Sequence, residues 1–274
     1  MKLEIMKNLY LENIKLNLTL DTYKFYTCHL NYAFKYFKNN NILEHEQLNK
    51  EIIYNFIFFQ KEQNVKNATI NKRILALKCM FKFNNIQNRD LENIKKLKEE
   101  RNTFQALTND EMNKLVYYLN SNALKFQNKV LIYLLIDTGA RISEILAIQK
   151  SNINFTNRTI FLEKTKTHQP RYVFFTEPTK LLLLQYIKQI HDNFLFHLQI
   201  SSVESMFTRI KNKLNIHKLH PHMLRHSLAT KLHNNGMSII VLQKILGHNN
   251  ISTTERYIHF ELNTIISNYQ MIMN

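Results

Sequence analysis

The sequence is poor in the residues that crosslink, break or turn a chain: it has two cysteines, three glycines and three prolines among 274 residues. Because Cys28 and Cys79 stand apart without a CxxC pattern, they exclude a disulfide scaffold or a zinc–thiolate cluster and indicate a reducing cytosol. No apolar run reaches the roughly 18 residues that a membrane span needs. The N-terminal stretch 1–18 has no small-residue cleavage site, so no secretory signal peptide is expected.

The scarcity of glycine makes the few glycines informative. Gly139, Gly236 and Gly247 lie in the segments TGAR, NNGMS and LGHNN. A chain this poor in glycine keeps one where the backbone needs a positive φ or a close approach. We therefore expect tight turns at these three places and look for functional residues beside them.

The chain is strongly basic, with 37 lysines and arginines against 21 aspartates and glutamates and a formal net charge of +16. The excess is spread along the chain: residues 1–100 contain 17 basic and 11 acidic residues, and the remainder contains 20 and 10. Such a field favours a polyanionic partner, most often nucleic acid. The alternative is AT-rich coding, which enriches Asn, Lys and Ile and adds charge without function.

The apolar pattern predicts a mainly α fold in two domains. Helical spacing runs through 1–85, where neither glycine nor proline occurs, and predicts a small helical domain. Residues 86–105 are polar and charged, which is typical of an interdomain linker or a solvated helix. From 106 to 274 the pattern is again mostly helical, but RTIFLE (158–163) and RYVFF (171–175) predict a small β-hairpin or sheet.

The segment DTGARISEIL is the first candidate for chemistry. Arg141 follows a glycine-containing turn and opens a helix, so its guanidinium fork lies beside unpaired backbone N–H groups, a combination that suits a phosphate. Glu144 lies one turn further on and is expected to orient Arg141 or pair with it. The alternative is an ordinary surface ion pair at i,i+3 spacing.

The predicted hairpin turn, EKTKTHQPR, places Lys164 and Lys166 near its tip. A lysine there can reach into a groove or an active site as a mobile cation and proton donor. A solvated turn is the ordinary alternative.

The segment HPHMLRHSLAT contains three histidines and an arginine. A helix that starts at the proline places His222 and Arg225 on one face, where they are suited to bind a phosphate. His226 lies four residues after His222, but a zinc site needs a third protein ligand, and the segment is basic. We therefore expect no metal and no cofactor. His226 is expected to face the core or a neighbouring helix, and His220 has no assigned role.

The last candidate segment is LGHNNISTTERYIHF. Gly247 is expected to end a helix, and His248 to lie in the loop that follows. Ser252 and Glu255 have capping-box spacing for a short helix that includes Tyr257.

These segments together supply two arginines, a lysine, two histidines and a tyrosine in one basic domain. A phosphodiester attacked by a tyrosine needs its charge neutralised, which two arginines can do. It also needs a base or aligning group near the phenol, whose ordinary pKa is about 10, and an acid for the departing 5′-oxygen. Cations can do this work without a metal.

The segments TGARISEI, HMLRHSLAT and LGHNNISTTERY, in that order, resemble the signature motifs of the tyrosine recombinases, the phage-integrase family, and most of all its Xer-like branch. The resemblance covers about residues 108–258. It implies that 106–274 is the catalytic domain, and residues 1–85 are similar in a general way to the family's helical core-binding DNA-binding domain.

The resemblance also implies a role for each matching residue. Arg141 and Arg225 would clamp the scissile phosphate, and Glu144 would support the site from behind. His222 would assist as the base, and His248 would hydrogen-bond a phosphate oxygen.

The same resemblance implies the nucleophile and the acid. Tyr257 would attack the phosphate and form a 3′-phosphotyrosyl link. Lys166 matches the family's hairpin lysine because it lies five residues before Arg171. Lys164 stays an alternative, since many Xer-like members have glycines around that lysine and this chain has TKT.

The implied partners are a double-stranded DNA recombination site and three further copies of the chain. The family acts as a homotetramer on two DNA sites, and helix 261–272 would be exchanged between subunits, or else pack on its own domain. An accessory DNA translocase and a cytoplasmic, nucleoid-associated bacterial location are further expectations. The implied role is Xer-like resolution of chromosome or plasmid dimers. The alternatives are a mobile-element integrase or transposase, a type IB topoisomerase and a non-catalytic DNA-binding protein.

Overall fold

A computed structural model describes residues 1–99, 106–121, 123–163 and 170–247 of the chain. Two compact units make up the fold, unit 1 over Met1–Asn102 and unit 2 over Thr103–Asn274. No helix among the described residues combines the length and the apolar character that crossing a membrane would take.

Unit 1 is helical throughout its described elements. The apolar faces of its helices meet in one core that includes Met6, Leu30, Phe56 and Leu77, all without exposed surface. Thr19 caps α2, where its Oγ1 accepts a hydrogen bond from the backbone N–H of Thr22. The helices are α1 (Leu3–Asn17), α2 (Leu20–Asn39), α3 (Lys50–Glu62), α4 (Asn67–Phe83) and α5 (Arg89–Glu92).

The first part of the predicted linker packs on unit 1 instead of leaving it. Leu91, in α5, is 1% exposed, and Ile86, Ile94 and Leu97 pack against the unit 1 core. The Asn71 amide also bonds to the backbone N–H and C=O of Leu97, at 2.9 and 3.0 Å. Four apolar side chains spaced through a charged segment are enough to hold it, so residues 86–99 differ from the expectation for a linker.

Unit 2 combines helices with a small antiparallel sheet. The strand order is β1-β2-β3, and Ile160 of β2 pairs with Val173 of β3. The fold is mainly α with a small sheet, as the sequence predicts, and β1 adds a third strand to the expected hairpin. The elements are α6 (Asn109–Asn120), α7 (Phe126–Thr138), α8 (Ile142–Leu146), β1 (Ile153–Asn154), β2 (Thr159–Leu162), β3 (Arg171–Phe174), α9 (Glu177–Ile187), α10 (Ile200–Leu214), α11 (Pro221–Asn234) and α12 (Ile239–Leu246).

Helix α7 forms the centre of unit 2. Its run VLIYLLI is apolar on all sides, and Val130, Leu131, Ile132 and Leu134 have no exposed surface. A helix that is apolar all round needs neighbours on every side, and α7 packs against both α9 and α11. The end of α7 is therefore held rigidly at the point where the chain turns toward Arg141.

Candidate active site

A left-handed glycine turns the chain from α7 into α8. Gly139 has a φ of +56°, and an added Cβ would lie 2.9 Å from Leu228 Cδ2 and 3.3 Å from Leu246 Cδ2. Glycine is therefore needed both for the backbone conformation and for close packing. The turn brings Arg141, the residue that caps α8, close to the end of α12.

Glu144, 2% exposed, is the buried centre of the site. Its Oε2 accepts a hydrogen bond from the backbone N–H of Arg141 at 2.8 Å, and its Oε1 accepts one from Arg141 Nη1 at 2.9 Å. Arg171 donates to it twice, from Nη1 at 3.0 Å and from Nη2 at 2.7 Å. Burial alone would raise the pKa of Glu144, but the hydrogen bonds and charges of Arg171 and Arg141 outweigh burial and lower that pKa.

Arg225 approaches the same place from α11. Its side chain is buried, with the residue 3% exposed. Nη1 donates to the carbonyl of Gly139 at 2.8 Å, and Nη2 donates to the carbonyl of Leu246. Arg225 thus joins the turn before α8 to the end of α12.

Three arginines donate to three consecutive carbonyls at the end of α12. Arg171 Nε donates to Ile245 at 2.8 Å, Arg225 to Leu246, and Arg141 Nη2 to Gly247 at 3.4 Å. The last carbonyls of a helix lack intrahelical partners and have partial negative charge, so cations are favoured there. We call Arg141, Glu144, Arg171 and Arg225 the arginine–glutamate cluster. Its three positive charges and one negative charge suit an anion such as a phosphate.

Gly247 allows α12 to end against the cluster. Its φ is +65°, and an added Cβ would lie 2.9 Å from Arg171 Nη1 and 3.0 Å from Arg171 Cδ. All three glycines have positive φ, so the prediction of turns at these positions is confirmed. Two of the three turns, at Gly139 and Gly247, border the cluster.

The three histidines of the HPHMLRHSLAT segment have different environments. His222 is exposed on the first turn of α11. His220 caps the same helix, because its Nδ1 accepts a hydrogen bond from the backbone N–H of Met223 at 3.1 Å. His226 is half-buried, and burial, together with the charges of His222, His220 and Arg225, lowers its pKa to about 4.

Among the described parts of the chain, one group of three neighbouring side chains could hold a metal ion: Glu44, His45 and Glu46 in unit 1. His222 and His226 are not part of that group.

Four predicted site residues lie outside the described residues: Lys164, Lys166, His248 and Tyr257. The same holds for the predicted helix 261–272. Among the predicted residues that are described, Arg141, Glu144 and Arg225 meet in one cluster.

The sequence motifs assign no role to Arg171. Its position serves only to identify Lys166, which lies five residues before it. The strand pattern could have indicated that Arg171 is buried. Side chains alternate across a strand, so RYVFF places Arg171 on the same face as Val173 and Phe175. Both of those residues are buried. An arginine on a buried strand face needs a partner, and here the partner is Glu144.

Known proteins are similar to this chain over most of its length. The model of the phage integrase family matches residues 105–263. The chain is 35% identical over 216 residues to tyrosine recombinase XerA of Saccharolobus solfataricus, covering 78% of this chain and 71% of that protein. It is 30% identical over 233 residues to tyrosine recombinase XerC of Pediococcus pentosaceus, covering 76% and 77%.

Solved structures show the same fold. The Tn1549 transposon integrase in complex with transposon right end DNA has a TM-score of 0.77 at 20% identity, over 98% of this chain and 99% of that one. A lambda integrase tetramer bound to a Holliday junction also has a TM-score of 0.77, at 16% identity, over 94% and 78%.

The chain belongs to the phage integrase family, the tyrosine recombinases, which are site-specific enzymes that cleave and rejoin DNA. The predicted family and fold class are confirmed.

Proposed function

We propose that the chain cuts and rejoins DNA at a specific site through a covalent link between Tyr257 and a 3′-phosphate. The observation that carries the proposal is the meeting of Arg141 and Arg225 at the end of α12. Both guanidinium groups are held by protein carbonyls directly before His248 and the segment that contains Tyr257. A fixed pair of arginines neutralises a phosphate without reorganising during the reaction.

Each remaining residue then has one task. His222 accepts the proton of the Tyr257 phenol as that oxygen bonds to phosphorus, and His248 hydrogen-bonds a non-bridging oxygen. Lys166, with Lys164 as the alternative, donates a proton to the departing 5′-oxygen. The exposed position of His222 on the first turn of α11 leaves it open to a substrate. No metal or cofactor takes part in the proposed steps.

The position of His226 supports His222 as the base in this segment. With a pKa of about 4, His226 is neutral at physiological pH and adds no charge to the site. It is half-buried on α11. Its proposed task is packing within unit 2, and that of His220 is capping α11.

Unit 1 is proposed to be the core-binding domain that grips DNA through its surface. Its lysines lie mostly on outer helix faces, and residues 1–100 have an excess of basic over acidic residues. Binding to the phosphate backbone should weaken with salt, with a log–log slope of about −0.9 per phosphate neutralised. A flat response to salt would contradict this role.

The proposed assembly is a homotetramer on two DNA sites, with helix 261–272 exchanged between subunits. The tetramer of lambda integrase on a Holliday junction supports it. We place the protein in the cytoplasm of a bacterium at the nucleoid, with an accessory DNA translocase as a further partner.

The proposed biological role is Xer-like resolution of chromosome or plasmid dimers, which the similarity to XerA and XerC supports. A mobile-element integrase is the second candidate. A probable integrase/recombinase of Acholeplasma phage L2 is 28% identical over 258 residues, covering 88% of this chain and 86% of that protein.

One experiment tests the chemistry and separates the two roles. Wild type, Tyr257→Phe and the control Tyr117→Phe are incubated in EDTA with fragmented genomic DNA of the source. Tyr117 is 79% exposed on α6. DNA that stays attached to denatured protein is then captured and sequenced.

Adducts are expected from wild type and from Tyr117→Phe but not from Tyr257→Phe. Adducts at one chromosomal locus would support dimer resolution, and adducts at element ends would support an integrase. Adducts from Tyr257→Phe would refute the assigned nucleophile, and a lack of adducts from wild type would favour a non-catalytic DNA-binding protein.

A further inference from the structure

We propose that Arg171 is a positioning residue for strand cleavage, which neutralises Glu144 so that the full charges of Arg141 and Arg225 act on the phosphate. The inference rests on the proposed function above. Arg171 has no role in the assignment made from the sequence motifs, and it is the most enclosed cation of the described cluster after Arg225, at 8% exposed.

Without Arg171, Glu144 would orient Arg141 but would also reduce its effective charge. Glu144 contacts Arg141 through both the backbone N–H and Nη1, at 2.8 and 2.9 Å. These bonds fix the direction of the Arg141 side chain, but the carboxylate also cancels its charge. A carboxylate this close to a cation in a poorly solvated site weakens the attraction of that cation for a second anion.

Arg171 supplies a counter-ion for Glu144. It binds both carboxylate oxygens of Glu144 in a fork, at 3.0 and 2.7 Å, which is the strongest geometry for this pair. Glu144 thus has a counter-ion of its own and still orients Arg141. With Arg171 present, the cluster has three positive charges and one negative charge, a net charge of +2.

This net charge matches the negative charge that develops on the phosphate during the reaction. The phosphodiester has one negative charge in the ground state. As the phenolic oxygen, its proton passed to the base, bonds to phosphorus and the bond to the 5′-oxygen breaks, the charge on the phosphoryl group approaches −2. Cations held in place for the developing charge accelerate such a step. Loss of Arg171 would leave a net charge of +1 in the cluster.

Arg171 differs from the residues that are proposed to contact the substrate. All three of its guanidinium nitrogens donate to protein: Nη1 and Nη2 to Glu144, and Nε to the Ile245 carbonyl at 2.8 Å. The side chain of Arg141 is more open, at 18% exposed against 7% for that of Arg171. Both terminal nitrogens of Arg171 bind the Glu144 carboxylate, whereas those of Arg225 donate to neutral carbonyls. The charge of Arg171 is therefore used on Glu144, and Arg171 acts through Glu144 and the end of α12, not by contact with DNA.

The test measures single-turnover adduct formation on the site identified with wild type, at saturating protein. Arg171→Met should slow adduct formation about 100-fold, the size expected when one preorganised charge is lost. The double variant Arg171→Met/Glu144→Gln removes both charges of the pair and restores the net charge of +2. It should form adducts at least about 10-fold faster than Arg171→Met.

Two further readouts distinguish an electrostatic role from a purely structural one. Replacing one non-bridging oxygen of the scissile phosphate by methyl removes its charge, and the penalty of Arg171→Met should then fall below about 10-fold. In a Tyr257→Phe background, Arg171→Met should change the DNA dissociation constant less than about threefold, because Arg171 does not reach DNA.

Arg158 provides the matched control. It forms an exposed ion pair with Glu177 at 3.4 Å in the same unit, and Arg158→Gln should cleave like wild type. Circular dichroism reports whether each variant is folded. If Arg171→Met does not fold, the double variant decides, because it leaves no buried carboxylate without its cation. It should cleave within about 10-fold of wild type.

Wild-type speed in a folded Arg171→Met, a folded double variant that is inactive, or an undiminished penalty on the neutral phosphate would each overturn the proposal. These results leave the proposed function intact as long as wild type forms adducts. A wild type that forms none would instead refute the proposed function.

Discussion

The two units differ in what they bury. Among the described residues, unit 1 buries one polar side chain, that of Gln60, whereas unit 2 buries Glu144, Arg171 and Arg225 besides three hydroxyl residues. Removing a charge from water costs several kcal/mol unless partners compensate. Unit 1 keeps its cations at or near the surface, where they suit a long polyanion. Unit 2 instead holds a few of its own cations together in the arginine–glutamate cluster.

The half-buried arginine of unit 1 makes the contrast sharper. Arg73 stacks over the ring of Tyr32, with Cζ 3.3 Å from the ring centroid, and Nη1 donates to Gln60 Oε1 at 2.7 Å. It ties three helices together and contacts no carboxylate in the described hydrogen bonds. An arginine with aromatic and amide partners stabilises a fold, and arginines that share a carboxylate and helix-end carbonyls form a site for an anion.

The largest expected effect is at Arg225. Arg225→Gln removes a buried charge that is held by two carbonyls, so cleavage should fall by about 10³-fold or more. Single-turnover adduct formation measures it, with urea unfolding to confirm that the protein is folded. Cleavage within about 10-fold of wild type would remove the distinction between the two units.

The next largest effect is at the end of α12. Gly247→Ala adds a Cβ that meets Arg171 at 2.9 Å at a φ of +65°, so it should destabilise unit 2 by about 2–3 kcal/mol. Gly236→Ala is the matched control, because its φ is +90° and nothing lies within 4 Å of the added Cβ.

Urea unfolding compares the two glycine variants. Gly236→Ala should cost only about 1 kcal/mol, since backbone strain acts there without a clash. Equal losses in the two variants would mean that the approach of Arg171 to the end of α12 adds nothing to stability.

A smaller effect is expected in unit 1. Arg73→Met removes the stacking on Tyr32 and the hydrogen bond to Gln60, which should lower stability by about 1–2 kcal/mol. The cleavage rate at saturating DNA should stay at the wild-type value. A cleavage defect in a folded Arg73→Met would place part of the chemistry in unit 1.

The last effect is absent at neutral pH and appears as a loss of stability in acid. The pKa of His226 is lowered to about 4 in the folded chain, whereas an unfolded histidine titrates near 6.5, so the unfolded state binds more protons between these values. The contribution of His226 to stability is therefore complete above pH 6.5 and is lost as the pH falls toward 4.

Urea unfolding at several pH values checks this sign. His226→Gln should flatten the loss of stability below pH 6.5, and His217→Gln, which changes an exposed histidine, should leave it as in wild type. An unchanged slope in His226→Gln would show that other groups, Glu144 among them, cause the acid sensitivity.

Much of the local structure followed from the sequence. Thr108 and Glu111 have capping-box spacing and form that capping box, with hydrogen bonds of 2.7 and 3.2 Å. The apolar run VLIYLLI lies in α7 (Phe126–Thr138). The signature motifs around Arg141 and Arg225 indicated the family. Helix periods, caps and glycine turns depend on neighbours within a few residues, which is why a sequence reveals them.

Other features required the folded chain. Residues 86–99 look solvated because their charges outnumber their apolar side chains, yet Leu91 is buried in unit 1. The sequence does not predict that His220 caps α11, because histidine is not among the preferred capping residues.

The sequence by itself determined the family, the mainly helical fold and the identity of Arg141 and Arg225 as a pair, because these depend on short motifs and local periodicity. Only the tertiary structure decided that Arg171 joins them. Its two partners, Glu144 and Ile245, lie 27 and 74 residues away in the chain. Contacts over such separations form when packed helices bring distant segments together, and the balance of charge in the cluster depends on those contacts.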